Sequence, residues 1–416
     1  MLKHCIGLFL FLPWICPLPA QPLISSGAVL ASAHRDLSVD LQGKQLDFIQ
    51  KNQRNLPFVD QVGVRTETDR FELRRQEYLA RVNVNGIGEM RQQRRLLQAE
   101  QLEEESRLRI FLHEALLERC QILAASYLAQ RRLALQQQMR LVYDDRINVL
   151  QRMAAADAGA DVTDLIKAEY DRDELTLSIA ETEGQLQHYR QMIGLYLTGT
   201  DETGQLDTAG FIQAPDIAQV VTAFPETGFR HPELDEKQAD IGRIDAEYAL
   251  EKARARQMLD FFQARHHNRP EEGFNRAFSV SLGLNLPYKG SSRVKMSELK
   301  IEKNAAANEL QMITAELNRQ TADYRRKIGV LAGQYRVAQQ QWQNSQARFT
   351  LEQAGLLREA GPLPLLEARE GQLKRQFNLL DIESEIMENY LEILDRGGFL
   401  SQPPLINYLA SGLPRF

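Results

Sequence analysis

The sequence predicts a mainly α-helical protein with a small β part, and two patterns support this prediction. Long stretches are rich in Gln, Arg, Glu, Leu and Ala, and in the two longest the apolar residues recur in steps of three and four, which is typical of coiled-coil helices. Shorter segments ahead of the two longest stretches alternate apolar and polar residues, which is the period of a β-strand. The net charge of −6 gives no reason to expect a nucleic-acid partner.

The chain begins with a predicted secretory signal peptide, which we place within residues 1–33. Lys3 precedes a short apolar run at 6–12, which is too short to cross a bilayer as a helix. Ala20 and Ala33 are the two candidate cleavage points. A retained membrane anchor is the alternative, but two prolines interrupt the apolar stretch.

The cysteines and the hydropathy constrain the chain beyond the signal. Cys120 is the one cysteine outside it, so we expect no internal disulfide after cleavage. Cys16 lacks the preceding Leu and small residue of a lipoprotein signal, which disfavours lipidation there. No later stretch contains about 20 apolar residues, so any segment that enters a membrane is expected to be a strand.

The predicted elements occur twice in the same order. The first repeat, 34–198, is expected to contain a helix at 36–55, β-like alternation at 57–88, a long helix at 90–156, a tip at about 155–163 and a return helix at 164–197. A connector at 199–230 joins it to the second repeat. That repeat, 231–397, is expected to contain a helix at 231–257, alternation at 259–287, a long helix at 292–358, a tip at about 359–363 and a return helix. A tail at 398–416 ends the chain.

The two predicted tips also match in sequence, which indicates an internal duplication. Asp161-Val-Thr-Asp-Leu-Ile-Lys-Ala168 aligns with Gly361-Pro-Leu-Pro-Leu-Leu-Glu-Ala368, so that Leu165 corresponds to Leu365 and Ala168 to Ala368. A period of this size differs from the short repeats of solenoid proteins. The sequence therefore predicts two copies of one large unit.

The second long helix carries a narrow apolar stripe that requires neighbouring helices. Its members include Leu310, Ile313, Leu317, Tyr324, Ile328, Leu331, Tyr335, Ala338, Trp342 and Phe349. A helix over 292–358 would be about 100 Å long at 1.5 Å per residue, which exceeds the width of a single-domain core. We therefore expect an extended assembly in which these helices lie side by side. An ordinary dimeric coiled coil is the alternative for this feature alone.

The alternating segments have the length and period of transmembrane β-strands. In the second repeat the apolar positions are Phe278, Val280, Leu282, Leu284 and Leu286, which we predict to face lipid. Tyr78, Ala80, Val82 and Val84 form the corresponding set in the first repeat, and weaker signals suggest outer partner strands near Val62 and Phe261. A half-buried strand of a soluble sandwich gives the same period. Four strands cannot close a barrel, so several chains would have to contribute.

The sequence resembles the TolC family of outer-membrane factors over about residues 36–398. The second repeat opens on His231-Pro-Glu-Leu, which is similar to the family's Asn-Pro-x-Leu, and both tip segments end in Leu-x-x-Ala. The strand from Phe278 to Pro287 is followed by Tyr288-Lys-Gly290, which resembles the end of the family's apolar strand. This resemblance implies a homotrimer in which four strands per protomer form a shared transmembrane β-barrel. It also implies that the helices form an α-barrel tunnel, with an equatorial belt from the connector and the tail.

The resemblance implies a channel without chemistry of its own. Such a protein is the exit duct of a tripartite efflux or type I secretion system, in the outer membrane of a Gram-negative bacterium, and extends into the periplasm. The implied partners are a periplasmic adaptor protein, an inner-membrane transporter and outer-membrane lipid. Glu367 is the candidate periplasmic gate, although Pro364 stands where the family has a second acid. Gly159 and Gly361 are candidate adaptor contacts at the tips.

No enzymatic site is predicted. The sequence lacks a Gly-rich phosphate loop with Lys-Ser/Thr, His-Glu-x-x-His, Cys-x-x-Cys and Gly-x-Ser-x-Gly. We expect no cofactor and no metal site, because His113 and His188 are isolated on helices and the pair His266-His267 suits an extracellular loop. Basic runs such as Arg131-Arg132 are interpreted as solvated helix faces or intersubunit pairs. A periplasmic coiled-coil adaptor or a cell-envelope scaffold protein remains the alternative function.

Overall fold

The computed structural model describes residues 23–68, 76–156, 162–197, 205–225, 230–267, 278–284, 290–359 and 362–416. Among its described helices, none is both long enough and apolar enough to cross a membrane. The predicted signal up to residue 22, both tip glycines (Gly159 and Gly361) and Leu286 lie outside the described residues.

The first half of the chain contains one very long helix and its shorter return helix. Its elements are β1 (Leu23–Ile24), α1 (Ser26–Ala31), a 3₁₀ turn (Ser32–Arg35), α2 (Leu37–Asn52), β2 (Val59–Thr68), β3 (Gln76–Val84), α3 (Ile87–Ala155) and α4 (Val162–Tyr196). Helix α2 starts where the Asp36 carboxylate accepts the Ser38 backbone N–H, at 3.1 Å. At 1.5 Å per residue, α3 is about 100 Å long.

The second half repeats this order. Its elements are β4 (Gln205–Leu206), α5 (Ala214–Ala223), α6 (Pro232–Arg256), β5 (Leu259–His267), β6 (Phe278–Leu284), α7 (Gly290–Glu359), α8 (Pro362–Arg396) and a 3₁₀ turn (Phe399–Ser401). The helix bounds lie within a few residues of those expected from the sequence. His266 and His267 belong to β5, so the expected loop at this pair is wrong: the alternation continues through both residues and pairs His266 with Tyr78.

The helices lie side by side rather than around one round core. Helix α3 packs along α4, α6 and α8, and α7 packs along α6 and α8. Small apolar clusters hold these contacts, one of Ile241, Ile244, Leu299 and Ala306 and another of Met139, Val142, Tyr143 and Leu373. Narrow strips of this kind are what a repeat near 3.5 residues produces.

The largest buried cluster joins segments that are distant in the sequence. It packs α3 and α8 against α5, the C-terminal tail and the segment that precedes α2. Val29, Leu30 and Ala33 are 0%, 1% and 0% exposed in this cluster. Two further contacts reinforce it: β1 pairs with β4 in parallel, and Arg119 on α3 donates to Ser32 Oγ (3.0 Å) and Asp36 Oδ2 (3.1 Å).

The second region of β structure is a four-stranded antiparallel sheet in the order β2-β3-β5-β6. The two repeats contribute one hairpin each, and the hairpins meet where β3 pairs with β5. The long helices α3 and α7 begin next to this sheet, since α3 follows β3 and α7 follows β6. The shorter helix α6 ends next to it, since α6 precedes β5. The sheet is therefore at one end of an elongated helical body.

Candidate functional site

One face of the sheet is apolar along two complete cross-strand rows. The strand register aligns Val62, Val82, Phe262 and Leu282 in the first row, and Val64, Ala80, Ala264 and Val280 in the second. Next to them, Phe278 lies opposite His266, and Leu284 lies opposite Leu259. Because neighbouring residues of a strand point to opposite faces, the register gathers these side chains on one surface.

This apolar face is exposed in the single chain. Val64 is 74% exposed, Val280 70%, Leu284 66%, Leu282 52% and Phe278 46%. No described helix covers them. A monomeric soluble protein rarely exposes a contiguous apolar surface of this kind, which favours contact with lipid or with another molecule.

The opposite face of the same strands is polar. Its rows include Gly63, Arg81, Gln263 and Ser281, and then Arg65, Leu79, Arg265 and Ser279. Arg265 Nε donates to Glu77 Oε2 at 2.9 Å across the junction between the repeats. The sheet therefore separates an apolar surface from a charged and hydrogen-bonding one.

Phe261 is an aromatic residue that lies on the polar face, where Leu79 is also apolar. The register is irregular between Leu259 and Phe261, and as a result Phe262, rather than Phe261, joins the apolar rows. The Phe261 ring covers Gly283, where a Cβ atom would approach the ring to 2.2 Å, and the Arg81 guanidinium lies 3.7 Å from the ring centroid. Gly283 is thus required by the close approach of the ring.

Glu367, the candidate gate residue, lies at the exposed edge of a charged cluster near the start of α8. Its side chain is 61% exposed, and its carboxylate is 3.8 Å from Arg146 Nη2. Arg146 also donates to Glu370 Oε2 at 3.0 Å, and Glu370 accepts from Lys374 Nζ at 2.7 Å. Sequence reasoning missed both Arg146 and Glu370. The spacing of three residues places Glu367 and Glu370 on one face of the helix, and this signal could have identified Glu370.

His113 is not isolated, because the fold places it between the start of the second repeat and the end of α8. His113 Nε2 is 3.0 Å from Asp395 Oδ1, and its ring is 5.3 Å from that of His231 in an edge-on arrangement. His231 Nδ1 accepts the Glu233 backbone N–H at 3.3 Å and so caps α6. One potential metal-ligand atom from each of His113, His231 and Asp395 lies within 4.8 Å of the other two.

These hydrogen bonds account for the three side chains as a packing junction between segments. Burial, together with the neighbouring His113, lowers the pKa of His231 to about 4, which keeps that ring neutral. Burial by itself would raise the pKa of Asp395, but the hydrogen bond from His113 and its charge hold that pKa below its usual value. With its Nδ1 engaged in capping α6, His231 is poorly placed to bind a metal through that atom.

The basic pair Arg131-Arg132 forms ion pairs within the chain. Arg131 donates to the side chain of Glu383, which is 1% exposed, and to the Tyr127 hydroxyl at 2.9 Å. Arg132 pairs with Asp381 on the surface. The interpretation of both residues as solvated or intersubunit groups is therefore wrong for Arg131, whose partner is 252 residues away in the sequence.

No family model and no curated protein matches the sequence, but several solved structures are similar to the fold. CusC, whose structures are described in terms of folding and transmembrane channel formation, gives a TM-score of 0.65 at 12% identity, with 90% of this chain and 93% of that chain covered. The outer-membrane channel OprN gives 0.66 at 14% identity, with 91% of each chain covered. The outer membrane protein VceC from Vibrio cholerae gives 0.64 at 10% identity, covering 90% and 96%.

These similarities extend over nearly the full length of each chain, so they include the long helices as well as the sheet. The predicted fold class, mainly α with a small β part, is confirmed. The chain has the fold of these outer-membrane channel proteins, as its resemblance to the TolC family predicted.

Proposed function

We propose that this protein is the outer-membrane channel of a tripartite efflux or type I secretion system in a Gram-negative bacterium. It passively conducts substrates from an inner-membrane transporter across the periplasm and the outer membrane. The observation that carries the proposal is the exposed apolar face on a sheet whose other face is polar. This is the arrangement of a strand set with lipid on one side and an aqueous pore on the other.

The sheet edges support assembly from several copies. Within the described strands, β2 and β6 each pair on one side only. Lipid does not tolerate an open row of backbone N–H and C=O groups, so both edges have to be paired in the membrane. Neighbouring copies supply that pairing, and three copies with four strands each form a twelve-stranded barrel in the homotrimer proposed here.

The helical part supports a tunnel that extends into the periplasm. Helices α3 and α7, each about 100 Å long, run away from the sheet and carry ionised residues along much of their length. Their far ends are where a periplasmic adaptor docks, and Gly159 and Gly361 remain the proposed contacts. We propose Glu367 as a gate residue, supported by its exposure beside Arg146.

The N-terminal packing favours one of the two signal cleavage points. Cleavage after Ala33 would remove Val29 and Leu30 from the largest buried cluster, together with strand β1. Cleavage after Ala20 leaves these residues in place. We therefore propose that the exported chain begins near Gln21.

The experiment that tests the proposed function measures the mass of the detergent-extracted, unheated protein and its conductance in planar bilayers. A membrane-extracted trimer that opens pores is the expected result. A soluble monomer or dimer without pores would overturn the proposal and leave a periplasmic adaptor or a cell-envelope scaffold protein as the better description.

A further inference from the structure

Exposed cations cluster where the helical body joins the sheet. At each of the four points where the chain connects a helix to a strand of the sheet, at least one exposed cation lies in the connection or in the adjoining helix turns. These residues are Arg54, Arg91, Arg94, Lys252, Arg256 and Lys295. The helical members are within about 10 Å of the helix end next to the sheet, at 1.5 Å per residue. We call these six residues the basic belt.

The basic belt lacks counter-charges within the described part of the chain, where none of the six residues forms an ion pair. Basic residues nearby behave differently. Arg254, between two belt residues on α6, pairs with Glu89 at 2.8 Å, and further along α6 Arg243 contacts Glu103 at 3.0 Å. The belt therefore presents positive charge to its surroundings rather than to the protein.

The helix dipoles explain only part of this charge pattern. The end of α6 carries partial negative charge, which suits Lys252 and Arg256. Helices α3 and α7 present their partial positive N-termini at the same level, where acidic residues would be favoured. The first turn of α3 does contain Glu89, which pairs with Arg254, but Arg91 lies in the next turn. The first turn of α7 contains no acid, and Lys295 follows it. An anion outside the chain would account for both groups of cations.

Exposed apolar side chains lie at the same level. Ile87 is 73% exposed at the start of α3, Met258 is 62% exposed after α6, and Val294 is 60% exposed beside Lys295. Along the chain, Ile87 follows the end of β3 at Val84, Met258 directly precedes Leu259 in β5, and Val294 follows β6. Apolar anchors with Lys and Arg just beyond them are typical of a membrane–water interface, where the cations reach the headgroups.

We propose that the basic belt binds the phosphate headgroups of anionic phospholipids in the periplasmic leaflet of the outer membrane. This inference rests on the proposed function, because it requires the sheet to lie in that membrane with the helices on its periplasmic side. Charge complementarity identifies the partner as an anionic headgroup, and the adjoining apolar face identifies it as a lipid rather than a free phosphate.

The test uses the full-length protein in detergent and in vesicles, with phosphatidylglycerol and phosphatidylcholine as probes. We expect phosphatidylglycerol to bind at least tenfold more tightly than phosphatidylcholine, and the difference to shrink at 0.5 M NaCl because salt screens exposed charges. The double variant Arg91→Gln/Lys252→Gln should weaken phosphatidylglycerol binding about 30-fold, at roughly fivefold per cation near the surface.

The matched control is Arg190→Gln/Lys167→Gln, which removes one Arg and one Lys on α4. Both residues are exposed and without an ion pair in the described chain, and they lie away from the sheet. Retained lipid preference in this control is expected. Equal losses in the two double variants, equal binding of the two lipids, or equal binding of water-soluble glycerol phosphate would each overturn the inference.

Conductance of the same vesicles separates this inference from the proposed function. Pores with no phosphatidylglycerol preference would overturn the basic belt alone. Absence of pores from the unmodified protein would overturn the proposed function. Pores in the Arg91→Gln/Lys252→Gln protein would show that its loss of lipid binding is not a folding defect.

Discussion

Replacement of Leu282 by Arg tests which face of the sheet contacts lipid. Leu282 lies in the middle of β6, in the row with Phe262, Val82 and Val62, and is 52% exposed. Arg or Lys on the lipid face costs about 2–4 kcal/mol near the bilayer midplane, so three copies in a trimer would lose about 6–12 kcal/mol. We expect the variant to lose the heat-resistant oligomer on unheated gels and to disappear from the outer-membrane fraction.

Ser281→Arg is the control for this substitution. Ser281 is adjacent in the chain and also exposed, but it lies in the polar row with Gln263 and Arg81. Because this face contacts water in the proposed channel, we expect Ser281→Arg to assemble normally. Normal assembly of Leu282→Arg, or equal failure of both variants, would refute the assignment of the faces.

Four further predictions concern the helical body and the N-terminal segment. Folding lowers the pKa of His231 from 6.5 to about 4, so between pH 4 and 6.5 the unfolded chain binds more protons than the folded chain. About 3 kcal/mol of stability should therefore be lost as the pH falls from about 6.5 to 4. His231→Asn keeps a capping side chain without that titration, so its chemical denaturation should depend less on pH, and an unchanged slope would contradict the assignment. Arg119→Met should cost about 3 kcal/mol, because it removes the buried guanidinium that donates to Ser32 and Asp36. Arg132→Met at an exposed pair should cost under about 1 kcal/mol. Equal losses of stability in denaturant would contradict the role given to the Arg119 pair. Mass spectrometry of the exported protein should find Gln21 near its N-terminus, and a chain that starts at His34 would refute the cleavage point. Leu30→Ala should lower stability by about 2–5 kcal/mol, since the Leu30 side chain is 1% exposed.

The sequence determined the elements that depend on neighbouring residues. Steps of three and four predicted α3 and α7, because helix faces repeat on that period, and strict alternation predicted β3 and β6 for the corresponding reason in strands. The duplicated tip segments predicted that the elements would occur twice. His231-Pro-Glu-Leu marked the start of α6, where the structure shows the imidazole capping the helix.

The tertiary structure alone decided how distant segments meet. Alternation suggested Phe261 as a strand residue, but only the irregular register placed Phe262 on the apolar face. The burial of Val29 and Leu30 could not be predicted from the sequence, because the residues that cover them belong to α3, α5 and the tail. A short apolar segment does not indicate which distant element packs against it.

The polar contacts show the same limit more clearly. Arg131 with Glu383 and His113 with Asp395 join residues 252 and 282 positions apart. The sequence does not show whether a charged residue on a helix contacts water or a buried carboxylate. Helical periodicity reports the spacing of residues along one helix and not their partners on other elements. The fold class therefore followed from local periodicity, whereas the ion pairs, the strand register and the placement of the basic belt required the packing of the two repeats against each other.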